Sequence, residues 1–158
     1  MENIFLPLMN GKTVIVGIGN PLRGDDGFGP ALIQGLRGQV NCVCIDAGRS
    51  PENYVGRIVK EQPDTILLVD AVHLGLGPGQ YRLLQPADIA AGGLTTHSMS
   101  SRLLIQFLEH QTQAKIFLLG VQPQTVALGD GISPAVAKAL EELGQFIQEA
   151  GEWRQQNA

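Results

Sequence analysis

The run Thr65-Ile-Leu-Leu-Val69 is apolar or β-branched throughout and is stopped by Asp70. It has no polar face to offer water, so it reads as a central parallel strand covered on both sides. A strand of that kind needs helices above and below it, and the flanking sequence supplies them. Residues 13–17, 40–45 and 115–120 read as further short strands, the second ending at Asp46. Between them the apolar spacing turns helical over residues 30–36 and 98–110. Ser50 as N-cap with Pro51 opens a helix to about residue 61, and Ser133-Pro134 opens another to about residue 150. Residues 80–84 suggest a shorter edge strand, and 86–93 an irregular stretch or one helical turn. This alternation predicts a three-layer α/β/α sandwich with right-handed crossovers. No repeat or linker divides the chain, so one domain is expected over residues 1–158, with a polar, frayed tail at 151–158. Residues 1–10 receive no role.

Composition narrows the function classes. Hydrophobic residues make up 44% of the chain and charged ones 16%, which excludes disorder. A net charge of −4 is a poor basis for general nucleic-acid binding. No apolar run approaches the roughly 18 residues of a membrane span. The short apolar stretch at residues 4–9 is broken by Pro7 and follows Glu2, unlike a signal peptide. Cys42 and Cys44 form a C-x-C pair that suits neither a disulfide framework nor a zinc ribbon, and they read as core thiols. A cytoplasmic protein is the expectation.

In open α/β sheets, sites form beyond the carboxyl ends of the strands. Four aspartates fall there: Asp25 and Asp26 after the first strand, Asp46 after the second and Asp70 after the third. Crowded carboxylates repel one another unless a cation or hydrogen bonds compensate, so the pattern points to a cation or acid–base site. Structural roles compete: Asp46 can cap its own turn, and Asp25 can favour a helix dipole. His97, just ahead of a helix, and His73, three residues past Asp70, can both reach such a site, whereas His110 suits a solvated helix end. Two aspartates and a histidine form an O/N ligand set with vacant positions. Gly17-x-Gly19 opens like a dinucleotide fingerprint, but Leu22 occupies the third glycine's place and no G-K-[ST] follows. Ser98 and Ser100 lack a nucleophile elbow and read as first-turn helix residues.

Four motifs occur in order: Gly17-Ile-Gly-Asn-Pro-Leu-Arg-Gly-Asp-Asp-Gly-Phe-Gly-Pro30, Ile45-Asp-Ala-Gly48, Leu67-Leu-Val-Asp-Ala71 and Thr95-Thr-His97. Together they resemble the [NiFe]-hydrogenase maturation endopeptidases, over about residues 13–150. The similarity is strongest to the branch that processes the large subunit of the formate-hydrogenlyase hydrogenase. The resemblance implies a five-stranded, mostly parallel mixed sheet with one antiparallel strand. It places the family's metal-contacting and catalytic triad on Asp26, Asp70 and His97, with Asp25, Asp46 and Gly48 supporting the substrate cleft. The implied activity is removal of a C-terminal peptide from the large-subunit precursor after nickel insertion. Nickel would arrive with the substrate, although other divalent metals can fill such a site in vitro. Precursor is the expected partner, nucleic acid and membrane are not, and a monomer is favoured. Two other readings stay open: a nickel-binding carrier without protease activity, and a peptidyl-tRNA hydrolase, which shares the Gly-x-Gly-Asn-Pro start.

Overall fold

The computed structural model describes residues 2–90, 95–96 and 101–158. In chain order they form β1 (Thr13–Ile18), α1 (Phe28–Leu36), β2 (Val43–Gly48), α2 (Val55–Lys60), β3 (Thr65–His73), β4 (Tyr81–Leu84), α3 (Pro86–Ala90), β5 (Thr95–Thr96), α4 (Ser101–Gln111), β6 (Lys115–Val121) and α5 (Pro134–Gln156). Short 3-10 turns at Leu6–Met9, Gly24–Gly27 and Pro51–Tyr54 precede β1, α1 and α2. Five strands lie in the order β2-β1-β3-β6-β4, parallel except for β4, which runs antiparallel to β6 at the edge. This is the mixed sheet that the motifs imply. The two-residue β5 adds a second antiparallel pairing, Val72 to Thr96 and His73 to Thr95.

Alternate residues of β3 feed two separate cores, as the period of a strand demands. Leu67, Val69 and Ala71 join Ile15, Leu119 and the apolar faces of α1 and α5. Ile66, Leu68 and Val72 join Val14, Val16 and residues of α2 and α4, including Ile58, Leu104 and Leu108. Three layers therefore follow directly from one unbroken apolar strand. Helix α1 sits very close to the sheet. A Cβ added to Gly29 would come within 2.7 Å of the Val69 carbonyl oxygen and would also strike the Ile18 backbone. Only glycine lets the start of this helix rest directly on β1 and β3.

Several expectations shift. β3 continues past Val69 to His73, because β6 still pairs with it at Ala71 and β5 pairs beyond. Asp70 therefore lies within the strand. β2 begins at Val43, where pairing with Val14 starts, and carries Asp46 inside it rather than after it. Ser50 makes no side-chain cap, and Pro51 opens a 3-10 turn instead of an α-helix. The expected frayed tail is helix: α5 runs to Gln156, held where Ala150 is buried and the Arg154 Nε–H donates to the Leu6 carbonyl at 3.2 Å. The first ten residues, given no role from sequence, supply buried Phe5, Leu8 and Met9 to the core beside α5. Asn3 Nδ2 donates to the Phe146 carbonyl at 2.7 Å, and Thr13 Oγ1 donates to the Leu8 carbonyl at 2.6 Å. Among the described residues, no helix is long and apolar enough to cross a membrane.

Phe5 is fully buried, so Phe5→Ala leaves a cavity the surrounding helices cannot close. Its expected cost is about 3–5 kcal/mol, read as a lowered urea midpoint with an unchanged m-value.

Candidate active site

From β1 the chain steps outward to β2, then returns across β1 to form β3 on its other side. The crevice at the carboxyl ends of β1 and β3 is thus the switch point where ligands of open α/β sheets bind. β1 pairs with β3 as far as Gly17 and Val69. Asp70 is the next residue along β3. It is fully buried, and its even position turns it toward the α2 and α4 layer, with Leu68 and Val72.

Asp26 approaches the same point from the loop after β1. It lies in the 3-10 turn at Gly24–Gly27, which packs against β3, and Gly29 rests on the carbonyl of Val69, the residue before Asp70. Gly19, at φ +142°, faces the Asp26 carbonyl so closely that an added Cβ would overlap it. The first two glycines of the fingerprint-like motif are therefore occupied by the chain's own backbone, Gly17 against Gly29 and Gly19 against Asp26. That packing, rather than the approach of a pyrophosphate, accounts for them. Asp26 Oδ2 accepts a hydrogen bond from the Asn20 N–H at 2.8 Å. Its other oxygen, Oδ1, is buried and has no hydrogen-bond partner among the described residues. Leaving a buried carboxylate oxygen without a donor is costly unless a cation or a proton meets it.

Asp25, one residue earlier, has the opposite circumstances. It is fully buried and its carboxylate accepts four hydrogen bonds. Gln124 and Thr125 donate main-chain N–H groups to Oδ2 at 2.8 and 3.2 Å, and the Ser133 hydroxyl adds a third at 2.8 Å. The Ser133 N–H donates to Oδ1 at 2.7 Å. Main-chain bonds from Gly24 to Asp130 and from Asp25 to Thr125 complete the clasp. Asp25 thereby locks the loop after β1 to the loop after β6, and it holds the turn that carries Asp26.

The remaining candidates are dispersed. Asp46 is exposed, and its parity sends it to the α1 face of the sheet, away from the Asp70 side. Its Oδ1 accepts from the Gly48 N–H at 3.0 Å, closing the turn locally. Gly48 itself, at φ +57°, receives the Gly19 N–H on its carbonyl at 2.9 Å and so helps seat the loop after β1. His73 is exposed, lies on the opposite sheet face from Asp70, and its Nδ1 is 3.5 Å from Gln122 Nε2. His110 is exposed in the last turn of α4. His97, Ser98 and Ser100 lie outside the described residues. Two contributors escaped the sequence reading. Asn20 bridges Asp26 to Leu22, and Gln122 holds the loop after β3 by accepting the Leu74 N–H at 2.7 Å. An amide flanking each strand end was the available signal.

Cys42 and Cys44 are half-buried at the start of β2, at the end of the sheet opposite the aspartates. Burial, reinforced by Cys44, pushes the Cys42 thiol up to about 11. Burial also raises Cys44, against a lowering pull from Arg37. Neither is an activated nucleophile.

Comparison with known proteins agrees with this geometry. The family model for HycI, hydrogenase maturation protease, matches residues 31–150. The hydrogenase 3 maturation protease of Escherichia coli K12 is 36% identical over 138 residues, spanning 85% of this chain and 88% of the relative. The crystal structure of the [NiFe] hydrogenase maturation protease HycI from Thermococcus kodakarensis KOD1 matches with a TM-score of 0.85 at 30% identity, covering 94% of this chain and 99% of that one. The solution structure of the endopeptidase HycI from Escherichia coli matches with a TM-score of 0.78 at 32% identity, covering 87% of this chain and 90% of that one. The chain belongs to the hydrogenase maturation protease family. It is an endopeptidase, and the family's role is C-terminal processing of the hydrogenase large-subunit precursor. The carrier and peptidyl-tRNA hydrolase readings give way to it.

Two measurements check these assignments. Asp25→Ala strands four donors, and unfolding should become easier by about 3–4 kcal/mol in urea. Alkylation of Cys42 should be slow at pH 8, where roughly one thiol in a thousand is ionised. It should then rise about tenfold per pH unit until about pH 11, since the raised value delays formation of the reactive thiolate.

Proposed function

We propose that this endopeptidase cuts a [NiFe]-hydrogenase large-subunit precursor of the hydrogenase 3 type only when nickel is in place, and that Asp26, Asp70 and His97 meet that nickel. The metal belongs to the substrate, held by the precursor's own cysteines, and the protease completes its coordination. The observation that carries this reading is Asp26 Oδ1: a buried carboxylate oxygen, unpartnered among the described residues, in the turn packed against β3, the strand that carries Asp70. Carboxylate and imidazole donors suit a first-row divalent ion. The chain path supports including His97. Thr96 pairs with Val72, two residues along β3 from Asp70, and His97 follows Thr96 in the sequence.

An incomplete donor set binds free metal weakly, so docking depends on a precursor already loaded. The scissile segment is then brought against a carboxylate able to accept a proton from the attacking water. The protein acts as a monomer in the cytoplasm. Asp26→Asn, Asp70→Asn and His97→Ala should each lower the rate of precursor shortening by at least about a hundredfold, followed by mass spectrometry. Nickel-free precursor should keep its full mass with the wild-type protein. Wild-type rates in all three variants, or cutting of the nickel-free form, overturn the proposal.

A further inference from the structure

Two leucines stand out on the described surface. Leu22 is 66% exposed and Leu128 69%, whereas no other exposed large hydrophobic side chain among the described residues exceeds 46%. They are far apart in sequence, yet the turns that carry them are joined: the N–H of Gly129, the residue after Leu128, donates to the Leu22 carbonyl at 2.9 Å. Scattered exposed leucines need no explanation; two on joined turns flanking the loop that carries Asp25 and Asp26 do. Leu22 lies four residues before Asp26. Its N–H is bound by Asn20 Oδ1 at 3.0 Å, and the Asn20 N–H is bound in turn by Asp26 Oδ2 at 2.8 Å. Leu128 lies in the loop that Asp25 clasps, stiffened by a Thr125 Oγ1–Asp130 Oδ2 bond of 2.8 Å.

The backbone therefore holds both leucines out in water instead of letting them fold back onto the core. A rigid apolar pair offers its contact area with little ordering cost on binding. The substrate of this family is itself a protein, so a macromolecular surface must cover this lip whenever the acid cleft is filled.

We propose that Leu22 and Leu128 form the docking lip for the hydrogenase large-subunit precursor, receiving apolar side chains that flank its scissile segment and so determining its affinity. This rests on the reading of Asp26 and Asp70 as the reaction site. The leucines touch no reacting atom, and their effect falls on KM.

The experiment follows steady-state shortening of nickel-loaded precursor by the full-length protein. Leu22→Ser with Leu128→Ser should raise KM roughly tenfold or more and leave kcat within about twofold. Leu22→Met with Leu128→Met should restore KM. Thermal melting of the serine variant should match wild type, since both side chains are already solvated; Leu128→Gln alone provides a second variant if it does not. A photoreactive phenylalanine replacing Leu128 should cross-link to the precursor. An unchanged KM in the folded serine variant, or a cross-link to a second copy of this chain instead, overturns the docking lip. The reaction-site reading fails separately, if Asp26→Asn retains kcat at saturating precursor while the cross-link persists.

Discussion

The carboxylate of Asp25 never meets solvent, and the carboxyl end of the sheet depends on it. Four donors converge on it from the segment between β6 and α5, so the loop after β1 and the loop after β6 behave as one body. Hydrogen bonds to a charged acceptor inside a protein are among the stronger polar contacts available, and they hold only while every donor stays in place. The adjacent carboxylate of Asp26 inherits this rigidity without sharing the donors. One acid is saturated so that its neighbour can remain undersatisfied at a defined position. Such preorganisation is what the proposed meeting of Asp26 with a substrate-borne metal requires.

Much of the fold was legible because the chain obeys simple periodicities. The apolar run at 65–69 required two covered faces, and the structure covers them with α1 and α5 on one side and α2 and α4 on the other. What escaped were the strand lengths. Pairing partners far away in sequence decide where β3 and β2 stop, and no local pattern around His73 or Val43 encodes that. The ends of the chain escaped as well. Phe5 and Leu8 fall in a stretch with no assignable role, and Glu152 and Arg154 in what looks like a polar tail, until each is seen to belong to a helix or turn packed against the other.

At the site, placing acids after strands suggested a crowd of four, from which the family resemblance picked Asp26 and Asp70. The crowd disperses for physical reasons. Strand parity turns Asp46 to the opposite face of the sheet, and Asp25 is consumed by loop donors. Adjacent aspartates cannot be told apart from sequence, because what separates them is the set of amides brought to one of them by residues 124–133. The glycines of the same motif, whose fingerprint-like spacing lacks its third glycine, accommodate the chain's own carbonyls.

The stitching of the N-terminal turn to α5 has a consequence for how the molecule is made. Asn3 contacts Phe146, and Leu6 contacts Arg154, across separations of 143 and 148 residues. During synthesis, Phe5 and Leu8 emerge long before the α5 residues they pack against. Contacts of such long sequence separation form late in folding, after the entropy of closing the loop has been overcome. The core beneath α1 is thus completed only once α5 has been made. A protease that acts near the C-terminus of another polypeptide thus depends on a late helix of its own to close its core.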